Sequence, residues 1–456
     1  MIDRIFGFVL LFNLAGLSSI VALLSSGARA GEVGALLLAC NLAYLAHRWP
    51  SARRLLGEKL ILAWLFVFAW PAVNTLLLMI LGEIAMSPAD YAKNAATALL
   101  RATLLLSAAV YVQVAGWNSV RKIGHAAIAV TVFGFVLALL YPGLFASATD
   151  MVDAEGSTGR AFGFFLQPNR AAPSVVVILV LILTDLRRHD LRASLGKILL
   201  VVGLAVATGS RGGILLALVV ATVWLWSLRR ELGGINWGLK GLRAAMRWVA
   251  LAAVAGVLVL AALGALGSFL TSRNMTTVGD RLTSLVQLAS FESVTSDKSV
   301  AARLKAQRTY LGLIAEKPLL GHGPNAVWDY LASSDLERYS HNTFLENAFE
   351  NGIPHVVVIC CALFMSFRQR HRRQVESLLH SNAISQLLAL IAFESMIAGG
   401  VLQIRGLIVV LGTLLAFQLS PQRVLSKSRL ARRHATPPRQ PATPALDGGS
   451  MPLLDV

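Results

Sequence analysis

The chain has 456 residues, 56% of them hydrophobic and only 14% charged, with a mean hydropathy of +0.65. Soluble domains carry about 25% charged residues, so this composition excludes an ordinary soluble fold and indicates a membrane protein. The formal net charge of +17 suggests a nucleic-acid partner, but the basic residues are grouped between apolar runs, which is a topology signal.

Apolar runs near the ~20 residues needed to cross a bilayer as a helix recur along the chain. They are too long and uninterrupted for barrel strands, so the predicted fold is all-α and polytopic. Twelve spans are predicted, at 6–27, 31–47, 59–82, 93–115, 124–146, 165–186, 194–209, 212–228, 246–270, 343–367, 379–400 and 403–420. The first follows a single Arg and lacks a small-residue cleavage site, so it reads as a retained span. The chain thus divides into spans one to nine (1–270), one large helical insert (271–342), spans ten to twelve (343–420) and a basic, then Pro/Ala/Thr-rich tail (421–456) that reads as disordered.

The basic groups follow the spans. Arg48/Arg53/Arg54/Lys59, Arg121/Lys122, Arg187/Arg188/Arg192, Arg229/Arg230/Lys240/Arg243/Arg247 and Arg368/Arg370/Arg372/Arg373 fall mostly on one side by span counting, as do Arg423 to Arg433. That is the positive-inside pattern, with both termini cytoplasmic. Cys40, Cys360 and Cys361 all lie within spans and imply neither a disulfide framework nor a metal site.

The opposite face holds the loop near 147–164, the junction "ATGSRGG" at 207–213, the insert and the turn near Gln403/Arg405. The insert is nearly neutral, with eight Lys/Arg and seven Asp/Glu. Its stretch "SVAARLKAQRTYLGLIAEK" puts Val300, Leu304, Leu311 and Ile314 at helical spacing, with Arg303, Gln307 and Tyr310 on a neighbouring face. Ser299 is the expected N-cap.

Arg211 interrupts an apolar stretch running from Ile198 to Trp226. An ionised side chain there costs at least about 2.5–3.5 kcal/mol on insertion scales unless it is paired or near the surface. Gly209, Gly212 and Gly213 let backbone approach a ligand, and an Arg beside a helix N-terminus makes an anion site. The bland alternative is a bend whose Arg reaches headgroups. Arg160 precedes "AFGFFLQPNR", where Asn169 enters a span and Arg170 follows; either Arg could equally be an interfacial anchor.

Of nine histidines, His322 and His341 fall on the outer face. His322, in "PLLGHGPN", reads as part of a tight turn. His341 directly precedes a helix beside Asn342, with Glu346 and Glu350 in the following turns. A neutral imidazole there can accept a proton, and nearby carboxylates can orient it; a capping His is the bland alternative. Asp150, Asp153 and Glu155 could hold a hard cation, but no outward Asp-x-Asp occurs and no metal site is predicted.

These stretches, taken in order, resemble the O-antigen ligase and O-antigen polymerase superfamily of bacterial inner membranes. "RAFGFFLQPN" is similar to its Arg–x–x–Gly…Pro–Asn segment and "GSRGG" to its Ser–Arg–Gly motif. "AARLKAQRTYLGLIAEKPLLGHGPN" is similar to its Arg helix with the following Pro–Leu–x–Gly–x–Gly turn, and "HNTFLENAFENGIP" to its His–Asn motif. The Trp expected soon after Arg303 is absent, with Tyr310 the nearest aromatic, so Arg303 and Arg281 ("GDRL") both stand as the matching arginine.

The resemblance implies a C-type, metal-independent glycosyltransferase without cofactor, its active site facing the periplasm. The donor would be an undecaprenyl-diphosphate-linked glycan and the acceptor lipid A–core oligosaccharide, with membrane lipids around it and no nucleic acid. Polymerase and protein O-oligosaccharyltransferase activity are the alternatives within the superfamily; a lipid-linked oligosaccharide flippase is the alternative from another class. Without a metal, the departing diphosphate needs arginines or oriented N–H groups. Arg211 and Arg303 are assigned that role and His341 that of general base. Arg160, Asn169, Arg281, Tyr310, Asn342, Glu346 and Glu350 are assigned to substrate binding.

Overall fold

A computed structural model describes residues 1–17, 30–141, 163–165, 168–183, 191–208, 210, 213, 216–222, 265, 298–324, 326, 342–372, 387, 391 and 401–419. All regular elements among the described residues are helical. They are α1 (Ile2–Leu14), α2 (Ala30–His47), α3 (Trp49–Leu56), α4 (Lys59–Ile80), α5 (Pro88–Ala115), α6 (Trp117–Leu140), α7 (Pro168–Leu183), α8 (Leu191–Ala207), α9 (Lys298–Glu316), α10 (Thr343–Arg372) and α11 (Arg405–Leu419), with 3₁₀ turns at Gly163–Phe165 and Val401–Gln403. Among the described residues four helices are long and apolar enough to cross a membrane: Lys59–Ile80, Pro88–Ala115, Trp117–Ala138 and Thr343–Arg368. The apolar helices Gly31–His47, Arg170–Leu183, Gly196–Ala205 and Arg405–Leu419 are shorter. The predicted spans at 246–270 and 379–400, the first part of the insert and the tail lie outside the described residues but for isolated positions.

Helix α5 is the hub. Ser87 caps it, its hydroxyl accepting from the Asp90 amide at 3.1 Å, and Pro88 occupies the first turn, where no N–H is needed. From Ala102 to Gln113 every side chain is buried, against α2, α4 and α11. Lipid is as apolar as a leucine, so close backbone approach rather than water exclusion holds such helices together. Gly412 of α11 shows this directly: a Cβ there would run into the Leu105 carbonyl and the Ala108 methyl of α5. Polar bonds add to the packing. Trp64 Nε1 of α4 donates to Ser366 Oγ of α10 at 3.0 Å, and Gln418 Nε2 of α11 donates to the Ser366 carbonyl at 2.8 Å.

Several boundaries differ from the sequence reading, each for a local reason. Gly116, at φ +80°, turns the chain in one residue, so α6 starts at Trp117 and Arg121 and Lys122 sit inside a helix instead of a loop. The short α3 is amphipathic, burying Ala52 and Leu55 while Arg53 and Arg54 are exposed. Helix α9 begins at Lys298, so Ser299 lies within it and is not its N-cap. Its apolar face is Ala306, Tyr310, Leu313 and Ile314; Leu311, placed on that face by its spacing, is 57% exposed.

The bundle has two chemically different ends. At one, Arg48 pairs with Asp3 at 2.5 Å and Tyr44 donates to the same carboxylate. Glu58, Lys59 and Arg368 line a pocket there with Leu419. The other end gathers the end of α1, the starts of α2, α5, α7, α10 and α11, and the turn after α9. The motifs read from the sequence meet at this second end.

Candidate active site

The turn at Pro318–Gly323 is built into a kink in α10. Pro354 has no N–H to give the Glu350 carbonyl, and Gly352 leaves helical geometry at φ +78°. The freed backbone groups are satisfied from the turn instead. The His322 amide donates to the Phe349 carbonyl at 2.8 Å, the Gly323 amide to the Glu350 carbonyl at 3.0 Å, and the Ile353 amide to the Pro318 carbonyl at 2.8 Å. Trp70 Nε1 of α4 donates to the Asn351 carbonyl at 3.1 Å, and Asn74 Nδ2 donates to the Leu320 carbonyl at 2.7 Å. Gly321 and Gly352 are required here. A Cβ at either would meet backbone of the other segment, and both have positive φ. His322 fills the structural place its turn suggested: Nε2–H donates to the Leu313 carbonyl at 2.8 Å and the ring stacks on Phe349 at 4.7 Å.

This clasp fixes the polar start of α10. Asn342 Oδ1 accepts from the Phe344 and Leu345 amides at 3.0 and 3.1 Å, so that oxygen works as a helix cap. Glu346 and Glu350 follow on the same helix, each half-buried. Tyr310 of α9 is buried, its ring edge-on to Phe349 at 5.2 Å, which commits the ring to packing α9 on α10.

The charge of Glu350 acts on Arg101 of α5, and so do those of Arg170 of α7 and Arg405 of α11. Arg101, Arg170 and Arg405 line one cavity of about 720 Å³ together with Lys93, Asn13, Ser174 and Gln403. Two residues from Arg170, Ala172 lies against Gly213, which leaves no room for a Cβ. Ser210, two residues before Gly212, is buried; its hydroxyl accepts from the Gly213 amide at 3.3 Å and its amide donates to Thr208 Oγ1 at 3.1 Å. The helix that follows the entry segment thus touches the end of the Ser–Arg–Gly junction at Ala172 and Gly213, and the turn after α9 is bonded to α10. Like charges repel more strongly away from bulk water, so converging cations favour an anion between them.

Of the residues assigned from sequence, Arg160, Arg211, Arg281 and His341 lie outside the described residues, as do Asp150, Asp153 and Glu155. Arg303 is in α9, and Asn169 is in the first turn of α7 next to the cavity-lining Arg170. The sequence reading gave no role to Arg101. Its signal was present, an arginine within the apolar run "ATALLRATLLL". Among the described residues no group of His, Cys, Asp and Glu is arranged to hold a metal.

The helices define the class: a polytopic helical membrane protein, with cationic side chains from three helices lining a cavity at one end. Residues 197–360 match the family model described as O-antigen ligase, which supports the O-antigen ligase and polymerase superfamily. The members of that family are membrane glycosyltransferase-like enzymes. No curated protein matches the chain.

Proposed function

We propose that the protein is an O-antigen ligase. It would transfer a glycan from undecaprenyl diphosphate to lipid A–core oligosaccharide at the periplasmic face of the inner membrane, with both termini in the cytoplasm. The observation that carries this reading is the turn after α9 bonded to the kink of α10, at the end of the bundle where Arg101, Arg170 and Arg405 line one cavity. The family match over residues 197–360 supports the same reaction class.

In this reading the acceptor hydroxyl attacks the anomeric carbon, and the bond from that carbon to the diphosphate oxygen breaks. Arg211 and Arg303 (or Arg281) neutralise the leaving diphosphate, as bidentate guanidinium groups do well. His341, next to the Asn342 cap, accepts the hydroxyl proton. Glu346 and Glu350 orient the acceptor and the imidazole. The clasp holds the Glu350 backbone in place before substrate arrives, and preorganisation of this kind lowers the barrier. No metal takes part.

The test uses purified protein and an undecaprenyl-diphosphate-linked glycan, with lipid A–core in one tube and donor alone in the other. Product on lipid A–core supports the ligase; chain lengthening in the donor-only tube identifies a polymerase. Glycan-bearing lipid moved across a proteoliposome membrane, with no new glycosidic bond, identifies a flippase. Arg211→Ala should abolish transfer, and near-normal turnover in that variant removes Arg211 from the clamp. Activity should survive excess EDTA.

A further inference from the structure

The pocket at the Arg48 end lies where two spans stop. Lys59 is the first residue of the span Lys59–Ile80 and Arg368 the last of the span Thr343–Arg368, and both line it together with Glu58. A space between the ends of two spans sits at the level of lipid headgroups, between hydrocarbon and bulk water. It holds about 470 Å³, in the range of pockets that take an organic ligand. Leu60 and Leu419, both buried, give it an apolar part. On the same helix ends Leu62 is 47% and Phe364 64% exposed, apolar surface for lipid to cover.

The charges here are arranged unlike the pairs elsewhere. Arg48 closes on Asp3, and Lys317 on Glu83. Glu58, Lys59 and Arg368 bring both signs of charge to one space, yet none of these side chains makes an ion pair or hydrogen bond among the described residues. Glu58 even occupies the N-cap position of α4 without its carboxylate capping the helix. One carboxylate and two cations thus remain available to a ligand that carries both charges itself.

We propose that this pocket binds the head of a zwitterionic phospholipid with a primary ammonium, phosphatidylethanolamine. Lys59 and Arg368 take the phosphodiester through charge-assisted hydrogen bonds, and Glu58 takes the ammonium. A choline head fits less well. Its quaternary nitrogen has no N–H to donate to Glu58, and no aromatic ring lines the pocket among the described residues to hold it by its face. A head with net negative charge leaves Glu58 against a like charge. The acyl chains leave along Leu62 and Phe364. No residue of the four motif segments lines this pocket, so the site holds or fails apart from the transferase reading.

The test titrates the full chain in detergent with phosphatidylethanolamine, phosphatidylcholine or phosphatidylglycerol of matched acyl chains, with bound lipid counted by native mass spectrometry. Phosphatidylethanolamine should bind about tenfold more tightly than either of the others, the usual worth of a hydrogen bond between charged groups. E58Q should erase that preference, and the K59Q/R368Q double variant should weaken phosphatidylethanolamine binding by about tenfold or more. R53Q removes an exposed cation at the same end that does not line the pocket, and it should bind as the wild type does. Unfolding temperature identifies a misfolded variant; if the double variant is one, E58Q decides. Equal binding of the three lipids to the wild type overturns the proposal, since the protein then carries only a lipid belt. Preference for phosphatidylglycerol also overturns it, leaving a basic patch, and so does a preference for phosphatidylethanolamine that survives E58Q. Glycerophosphoethanolamine, the same head without chains, should compete poorly. Competition equal to that of the whole lipid overturns the assignment to lipid and leaves a site for a free phosphodiester.

Discussion

At the end of the bundle that carries Asp3 and Arg48, the charge of that pair is settled within the protein: the carboxylate takes both the guanidinium and the Tyr44 hydroxyl, and Phe6 stacks on Tyr44 at 3.9 Å to shield the pair. At the opposite end four cations from three helices surround a space without a carboxylate in its described lining, and the acid whose field reaches Arg101 is Glu350, on another helix. A protein that can place a carboxylate against Arg48 could have done the same for Arg101. Cations gathered in this way repel one another, so the contrast sets an end whose Asp3–Arg48 pair is local against one whose cavity lining is cationic.

Substitutions at the two ends should therefore differ in kind as well as size. The largest effect is expected at His341: His341→Ala should lower transfer by about 10²–10⁴-fold while donor binding persists. Joint loss of binding and turnover would move His341 into the diphosphate clamp, and loss of neither would shift the search for the base to Glu346 and Glu350. Next comes Gly352→Val, which forces a side chain onto the Leu319 carbonyl at a positive φ. It should cost about 1–3 kcal/mol of stability and reduce turnover, because Glu350 moves with the kink. Gly196→Ala, where a Cβ meets nothing within 4 Å, is the matched control and should be neutral in thermal unfolding.

Arg48→Ala, at the structural end, should reduce stability by roughly 0.2–1 kcal/mol, the usual worth of a partly exposed pair, with turnover per folded molecule unchanged. A clear drop in turnover would break the division between the ends. The smallest effect concerns the pair that ties the loop after α4 to the end of α9. Lys317 Nζ lies 2.6 Å from a Glu83 oxygen and holds that carboxyl below the ordinary range of 4.5. A lowered folded-state pKa gives stability that is present above the unfolded value and lost as pH falls through the folded one. Thermal unfolding should show a slight acid-side loss below about pH 4.5 that is absent in Lys317→Ala. Because Glu83 is fully exposed, the difference should be at the edge of detection.

The division between the ends was legible in part. Grouping Arg48, Lys59 and Arg368 on one side needed only span counting, and the structure brings Glu58, Lys59 and Arg368 around one pocket. The turn at "PLLGHGPN" was legible because glycine and proline punctuate it; its partner was not, since nothing in local spacing says that a kink at Gly352 supplies the missing bonds. The cavity was the least legible feature. Arg101, Arg170 and Arg405 are separated by long apolar stretches with no common period, and the packing of α11 on both α5 and α7 makes them neighbours. Arg170 and Arg405 were noticed as residues at span edges, where an arginine ordinarily anchors to headgroups.

The clasp on α10 also constrains how the protein is made. The Phe349 and Glu350 carbonyls take amide hydrogens from residues 27 positions earlier in the chain, and an unmet backbone group costs several kcal/mol in hydrocarbon. Helix α10 therefore cannot reach its final form alone inside an insertion channel. It reaches that form only when the Pro318–Gly323 turn docks against it, so the kink and the turn are completed together.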